Sequence, residues 1–218
     1  PADLKPAQRT WRAFRRNPLG MGSAAVILIM VVIAILAPLL AAFPSGYGTE
    51  ILVPPSPAHP FGTDDLGRDV LAQVIWGTRI SMIIGFASSF LAILIGVALG
   101  ILAAYAKRLD APISMLVDVS LALPVLPLMI LVAALVGPSA TTLVMVIALF
   151  SWPEVTRIVR SQALSVTRLP YVDAARTIGG SHFWIMTRHL LPAVAPIIVV
   201  SVVLTASRAV MSEAGLSF

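Results

Sequence analysis

Residues 81–105 read SMIIGFASSFLAILIGVALGILAAY, a run with no charged side chain that Lys107 and Arg108 close. A bilayer core ~30 Å thick is crossed by ~20 apolar residues in helical form. Inside lipid the backbone has no water to bond, so such a segment must close its hydrogen bonds within a helix. The stretch is therefore read as a membrane span over 81–106. Along it Ser88, Ala92, Gly96, Gly100 and Ala104 recur every fourth residue, which lines one helix face with small side chains and lets a second backbone approach closely.

The rest of the chain supports a membrane reading. Of its 218 residues, 58% are hydrophobic and only 11% charged, and the mean hydropathy is +0.95, where a soluble domain carries roughly a quarter charged residues. Further spans are read at 21–43, 113–136, 137–155 and 190–211. The first is too long for the ~7 to 15 apolar residues of a cleavable signal, so it stays. The expected fold is an all-α polytopic helix bundle of five spans. The absence of cysteine excludes disulfide scaffolds and thiolate metal sites. Few aromatics and long uncharged runs speak against nucleic acid, while the net charge of +5 suits anionic lipid headgroups.

Charge bias sets the orientation, because cytoplasmic loops collect Lys and Arg. With a cytoplasmic segment at 1–20, Lys5, Arg9, Arg12, Arg15, Arg16, Lys107, Arg108, Arg157, Arg160, Arg168, Arg176 and Arg188 all fall inside. Only Arg68, Arg79 and Arg208 fall outside. This leaves an outer loop at 44–80, an inner loop at 156–189 and an outer segment at 212–218, whose end at Phe218 reads as a chain cut short.

The outer loop opens with Pro44, Pro54, Pro55, Pro57 and Pro60, which hold it extended. Thr63, Asp64, Asp65, Arg68 and Asp69 then offer capping side chains ahead of a short interfacial helix. The spacing of the acids does not suit a Ca²⁺ loop, so they are read as caps, with contact to an outer partner as their functional alternative; no metal site is read. Asp118 lies near the inner end of the third span, shallow enough to find an Arg partner. Met129, Met145 and Ser151 are the candidates for lining a solute passage.

The inner loop is longer than most helix connections. Its centre, Tyr171, Val172, Asp173, Ala174, Ala175, Arg176, Thr177, Ile178, Gly179 and Gly180, reads as a short helix ended by a left-handed glycine turn. Its alanines invite the close approach of another protein. Arg157, Arg160 and Arg176 are expected to meet acids of that partner or lipid phosphates.

Asp173-Ala174-Ala175, three residues, Gly179, nine residues, His189, one residue, then Leu191-Pro192 resembles the EAA loop of bacterial ABC importer permeases. His59-Pro60-Phe61-Gly62-Thr63-Asp64, Gly67-Arg68-Asp69-Val70 and Gly77-Thr78-Arg79 resemble the outer segment of the dipeptide, oligopeptide and nickel branch. Asp173 stands where the founding motif has Glu, and Ala193 where the branch often has Asn. The resemblance implies a type I importer permease fold of six spans, so the sixth is expected beyond Phe218. It also implies a non-enzymatic inner-membrane subunit that passes peptides. Its partners would be a second permease subunit, two ATP-binding subunits at the helix of Tyr171 to Gly180, and an extracytoplasmic solute-binding protein. His189, Leu191 and Pro192 would anchor the loop to the last span. No Gly-x-x-x-x-Gly-Lys-Ser/Thr occurs, so ATP and Mg are expected on the partner and no cofactor on this chain. A secondary transporter would need midplane ion ligands and an internal repeat, and neither is read.

Overall fold

The computed structural model describes residues 14–137 and 139–216. Lys5, Arg9, Arg12 and Phe218, which carry part of the orientation argument, lie outside them. The described residues are mostly helical, with 41–69 in turns and loop that hold one isolated bridge, Thr63 to Asp69, and no strand among them. The chain divides into two compact units, one up to Met82 and one from Ile83.

In the first unit, α1 spans Pro18–Leu40. Asn17 caps it by accepting the Gly20 N–H at 3.1 Å, and Pro18 occupies the first turn, where its missing N–H costs nothing. Its apolar side chains point outward on nearly every side, and only Ala34 and Ala37 are buried. Such a helix suits an apolar surrounding. Pro38 lies inside α1 and cannot donate to the carbonyl of Ala34, four residues back. Arg79 replaces that donor, its Nη1 lying 3.2 Å from the Ala34 oxygen. Trp76 Nε1 donates to Ala41 O at 3.1 Å, and its ring meets Phe43 edge-on at 5.0 Å.

Trp76 and Arg79 belong to α2, Val70–Tyr105. The segment expected as a separate interfacial helix is thus the start of one 36-residue helix. Between Val70 and Ser81 there is no proline and a single glycine, Gly77, which the helix tolerates, so the polar turns and the apolar run merge.

The second unit holds the remainder of α2, then α3 (Lys107–Ala122), α4 (Val125–Val136), α5 (Ala140–Thr167), α6 (Pro170–Thr177), α7 (His182–Ile185), a π turn (Met186–Leu190) and α8 (Leu191–Leu216). The stretch expected as one third span is broken, α4 turning 86° from α3. Leu123 precedes Pro124 and takes the extended conformation that proline imposes on its neighbour. Ser139 caps α5 through the Thr142 N–H at 3.0 Å. The helix then runs past Pro153 to Thr167, so the loop expected from 156 is helical for its first third. At Pro192 the ring would press on the Arg188 carbonyl and offers no N–H. The preceding turn widens, and Leu191 N–H bonds to Met186 O, five residues back. Four helical segments are long and apolar enough to cross a membrane, and the bent pair α3 and α4, taken as one span, makes a fifth.

The small-residue stripe of α2 is where the core closes. Ser88 and Ala92 are fully buried. A Cβ added at Gly96 would stand 2.5 Å from Val155 Cγ1, and one at Gly100 would stand 2.9 Å from Val159 Cβ and 3.0 Å from Thr156 O. Around this contact Ile93, Ile101, Ala104, Val155, Val159, Ala163 and Val194 form one buried cluster.

Two outcomes follow for stability in detergent. G96A should lower unfolding stability by about 1–3 kcal/mol, as overpacking does, and V155A in the same chain should return part of that loss. R79M strands the Ala34 carbonyl, a cost of about 1–3 kcal/mol. P38A/R79M should recover it, because alanine at position 38 brings back the helical N–H. Denaturant titrations of the singles and doubles check both; strict additivity would refute the assigned contacts.

Candidate functional site

Leu169 is extended, Pro170 starts α6, and the helix lasts eight residues. Its end follows from the glycines. Gly179 takes φ +82, Gly180 N–H bonds to Ala175 O at 3.0 Å and Gly179 N–H to Arg176 O at 3.0 Å. This is the paired closure of a Schellman turn. A Cβ on Gly180 would stand 2.8 Å from Ala175 O and 3.0 Å from the Trp184 ring, so the chain returns tightly over the helix.

The helix has two distinct faces. Val172 and Ala175 turn inward, both buried in the cluster formed by Val159, Ala163, Val166, Ile185 and Leu190. Asp173, Ala174, Arg176, Thr177, Ile178 and Gly179 remain exposed. The two alanines expected to form one bare surface are therefore divided: Ala174 looks outward, while Ala175 seats the helix on its own chain. Ile178, 79% exposed, is an apolar side chain at the tip that the alanine pattern did not indicate.

Aromatic rings brace the helix from below and beside it. The Arg176 guanidinium lies 5.1 Å from the centre of the Tyr105 ring and pairs with Asp173 at 3.0 Å. Tyr105 OH hydrogen-bonds His182 Nδ1 at 2.9 Å. His189 lies between Trp184, 4.8 Å away edge-on, and Tyr171, 5.9 Å away. Of the expected anchor residues, His189 thus lies against Tyr171 of α6, and Leu191 and Pro192 follow it at the start of α8. His189 Nε2 is buried and has no hydrogen-bond partner among the described residues.

The cations expected to reach outward are paired within the chain. Arg160 grips Asp110 with two hydrogen bonds, 2.5 Å and 2.9 Å, and Arg157 meets Asp118 at 2.7 Å. Both pairs tie α3 to α5, and Asp118 has the Arg partner its shallow position suggested. Of the passage candidates, Met129 is buried and the Ser151 hydroxyl donates to the Ile147 carbonyl, while Met145 is exposed.

The acids of the first unit form a closed turn. Asp64 accepts hydrogen bonds from Leu66 N–H and Arg68 N–H, from Arg68 Nε and from Gln73 Nε2, at 2.8 to 2.9 Å. Desolvation raises its pKa, but the donors outweigh it and hold the carboxyl down at about 2. Asp69 accepts the Ala72 N–H at 2.9 Å, capping α2, and His59 Nδ1 lies 2.8 Å from its other oxygen. These bonds lower its pKa, the Ala72 N–H most of all. Gly62 and Gly67 both adopt φ +73; a Cβ on Gly62 would stand 2.4 Å from Val53 O, and one on Gly67 would stand 2.6 Å from Gly48 O. Asp64, Arg68 and Asp69 are thus spent on the turn itself, whereas Asp65 beside them is exposed.

The family model described as the binding-protein-dependent transport system inner membrane component matches residues 96–218, and that of the N-terminal TM domain of oligopeptide transport permease C matches residues 5–55. The chain is 35% identical to a dipeptide transport system permease protein of Bacillus subtilis, covering 99% of this chain and 68% of that protein. It is 34% identical to an oligopeptide transport system permease protein of the same organism, over 94% and 68%. A glutathione transport system permease protein of Pectobacterium atrosepticum is 33% identical, over 98% and 72%.

The depressed carboxyls make the outer turn acid-sensitive. An acid whose pKa is lowered by folding contributes its full stabilisation above its ordinary value, 3.8 for Asp64, and loses it as pH falls toward about 2. Hydrogen exchange over residues 62–68, normalised for intrinsic rate, should be faster in D64N than in the parent at pH 6. The gap should narrow markedly by pH 2. An equal gap at both pH values would count against the assignment.

Proposed function

Since the chain belongs to the family of binding-protein-dependent transport system inner membrane components, we propose that it is a permease subunit of an ATP-driven peptide importer, worked through α6 by cytoplasmic ATPase subunits. The family is one of transport subunits rather than enzymes. The chain is a multi-pass membrane protein with helices to match. Similarity to dipeptide, oligopeptide and glutathione permeases supports short peptides as the solute class.

The observation that carries the mechanism is the two-faced seating of α6. Its inner face is locked by Val172 and Ala175 into the same cluster that holds α2, α5 and α8. Its outer face offers Ala174, Thr177, Gly179 and the exposed Ile178. An ATPase subunit that grasps the outer face then moves a rigid lever rather than a loose loop. Nucleotide acts only by changing which state of the ATPase fits best, since a ligand shifts a conformational equilibrium by its differential affinity for the two states. ATP and Mg belong to that partner. A second permease subunit completes the passage, the N-terminus lies in the cytoplasm, and a solute-binding protein delivers the peptide at the outer turn, where Asp65 is exposed.

The two faces of α6 separate the partner contact from internal packing. Ala174→Leu and Ile178→Asp should cut co-purification of the ATPase subunits about tenfold while leaving the melting temperature of the permease in detergent unchanged. Ala175→Leu should instead lower that melting temperature, because overpacking costs about 1–3 kcal/mol of stability. Full retention of the ATPase subunits by both outer-face variants would remove α6 from the coupling role.

A further inference from the structure

One ion pair of the second unit serves neither the seating of α6 nor the α3 to α5 contact. Glu154 lies near the middle of α5, fourteen residues after Ala140 and thirteen before Thr167. Arg208 lies seventeen residues after Leu191 and eight before Leu216 in α8. At ~1.5 Å per residue, both are ~12 Å or more from the nearest end of their helix. The Arg208 Nη1 donates to Glu154 Oε2, joining the two helices.

Position on α8 shows where this pair faces. Ser201, Thr205, Ala209 and Glu213 form the buried row of the helix. Arg208 stands beside that row, on the exposed side with Val200, Leu204 and Met211. The side chains of Arg208 and Glu154 keep 57% and 43% of their surface exposed. Charged side chains on membrane helices are costly against lipid and face a bundle interior or a water-filled cavity. A guanidinium has five N–H donors and a carboxylate about four acceptor positions, far more than one mutual contact uses. The pair is thus electrically neutral as a whole, open on one side, and rich in unspent hydrogen-bonding capacity of both signs.

We propose that Glu154 and Arg208 form the site in the passage that recognises the two charged ends of a short peptide, Glu154 taking the α-ammonium and Arg208 the α-carboxylate. The inference rests on the peptide-permease reading above. With no solute present the two side chains neutralise each other. A zwitterionic peptide exchanges their one mutual pair for two, each charge-assisted and the carboxylate pair able to be bidentate. A peptide blocked at either end supplies only one partner and leaves the other protein charge short of its own.

The test measures equilibrium binding of dialanine, N-acetyl-dialanine and dialanine amide to the assembled permease and ATPase complex in detergent, without nucleotide or binding protein. The unmodified complex should bind dialanine about tenfold more tightly than either blocked form. R208Q should erase the preference over the amide, and E154Q the preference over the acetylated form, each leaving the other preference in place. Should a single variant fail to assemble, E154Q/R208Q leaves no lone charge and should bind all three alike. Equal binding of the three by the unmodified complex, no binding at all, or variants that keep its preferences would overturn the site. Uptake of labelled dialanine by proteoliposomes with the binding protein and ATP separates the two readings. If uptake fails, the peptide-permease reading falls; if it stands while the preferences survive mutation, only the Glu154 and Arg208 site falls.

Discussion

Gly96 and Gly100 let α2 meet α5 at a separation that admits no added methyl group against Val155 and Val159. Much else in the second unit depends on this contact. Lipid supplies little hydrophobic drive for one apolar helix to leave it for another, so association rests on close packing and dispersion. The valines that fill the glycine notches lie in the same buried cluster as Val172 and Ala175 of α6 and Leu190 and Val194 beyond it. The seat of the short helix is thereby an extension of the contact between two long ones.

Much of this was legible in the residues. Long uncharged runs identify the apolar helices because no other backbone form satisfies itself in lipid, and the every-fourth-residue stripe of α2 is the face that packs. Gly179 and Gly180 mark the end of α6 because only glycine enters the left-handed turn without penalty. Helix limits were less legible. Gln73, Trp76 and Arg79 make the start of α2 look like a separate amphipathic piece. Their polar groups are in fact used locally, on Asp64, Ala41 O and Ala34 O. The 86° bend at Pro124 between α3 and α4 was not anticipated by the reading of one span over 113–136, while Pro38, Pro153 and Pro196 stand inside continuous helices. A proline's effect depends on whether a neighbour supplies the missing donor, which a linear reading does not contain.

The division of Ala174 from Ala175 has the same origin. Adjacent residues on a helix are ~100° apart and cannot share a face; which of them turns inward is set by the tertiary cluster. Charge partners behaved similarly. Arg157 and Arg160 find Asp118 and Asp110 39 and 50 residues away, and Glu154 finds Arg208 54 residues away. Separations of that size become visible only once the helices are placed side by side.

The widened turn at Met186–Leu190 has a reach beyond its five residues. By inserting a residue into the spiral it advances everything after it by roughly one residue's rotation, ~100°. The angular bearing of the final helix is hence fixed by a wedge at its root, and an excision of one amino acid there would swing the entire downstream rod by more than a quarter turn, carrying Ser201, Thr205 and Ala209 out of the side they now occupy.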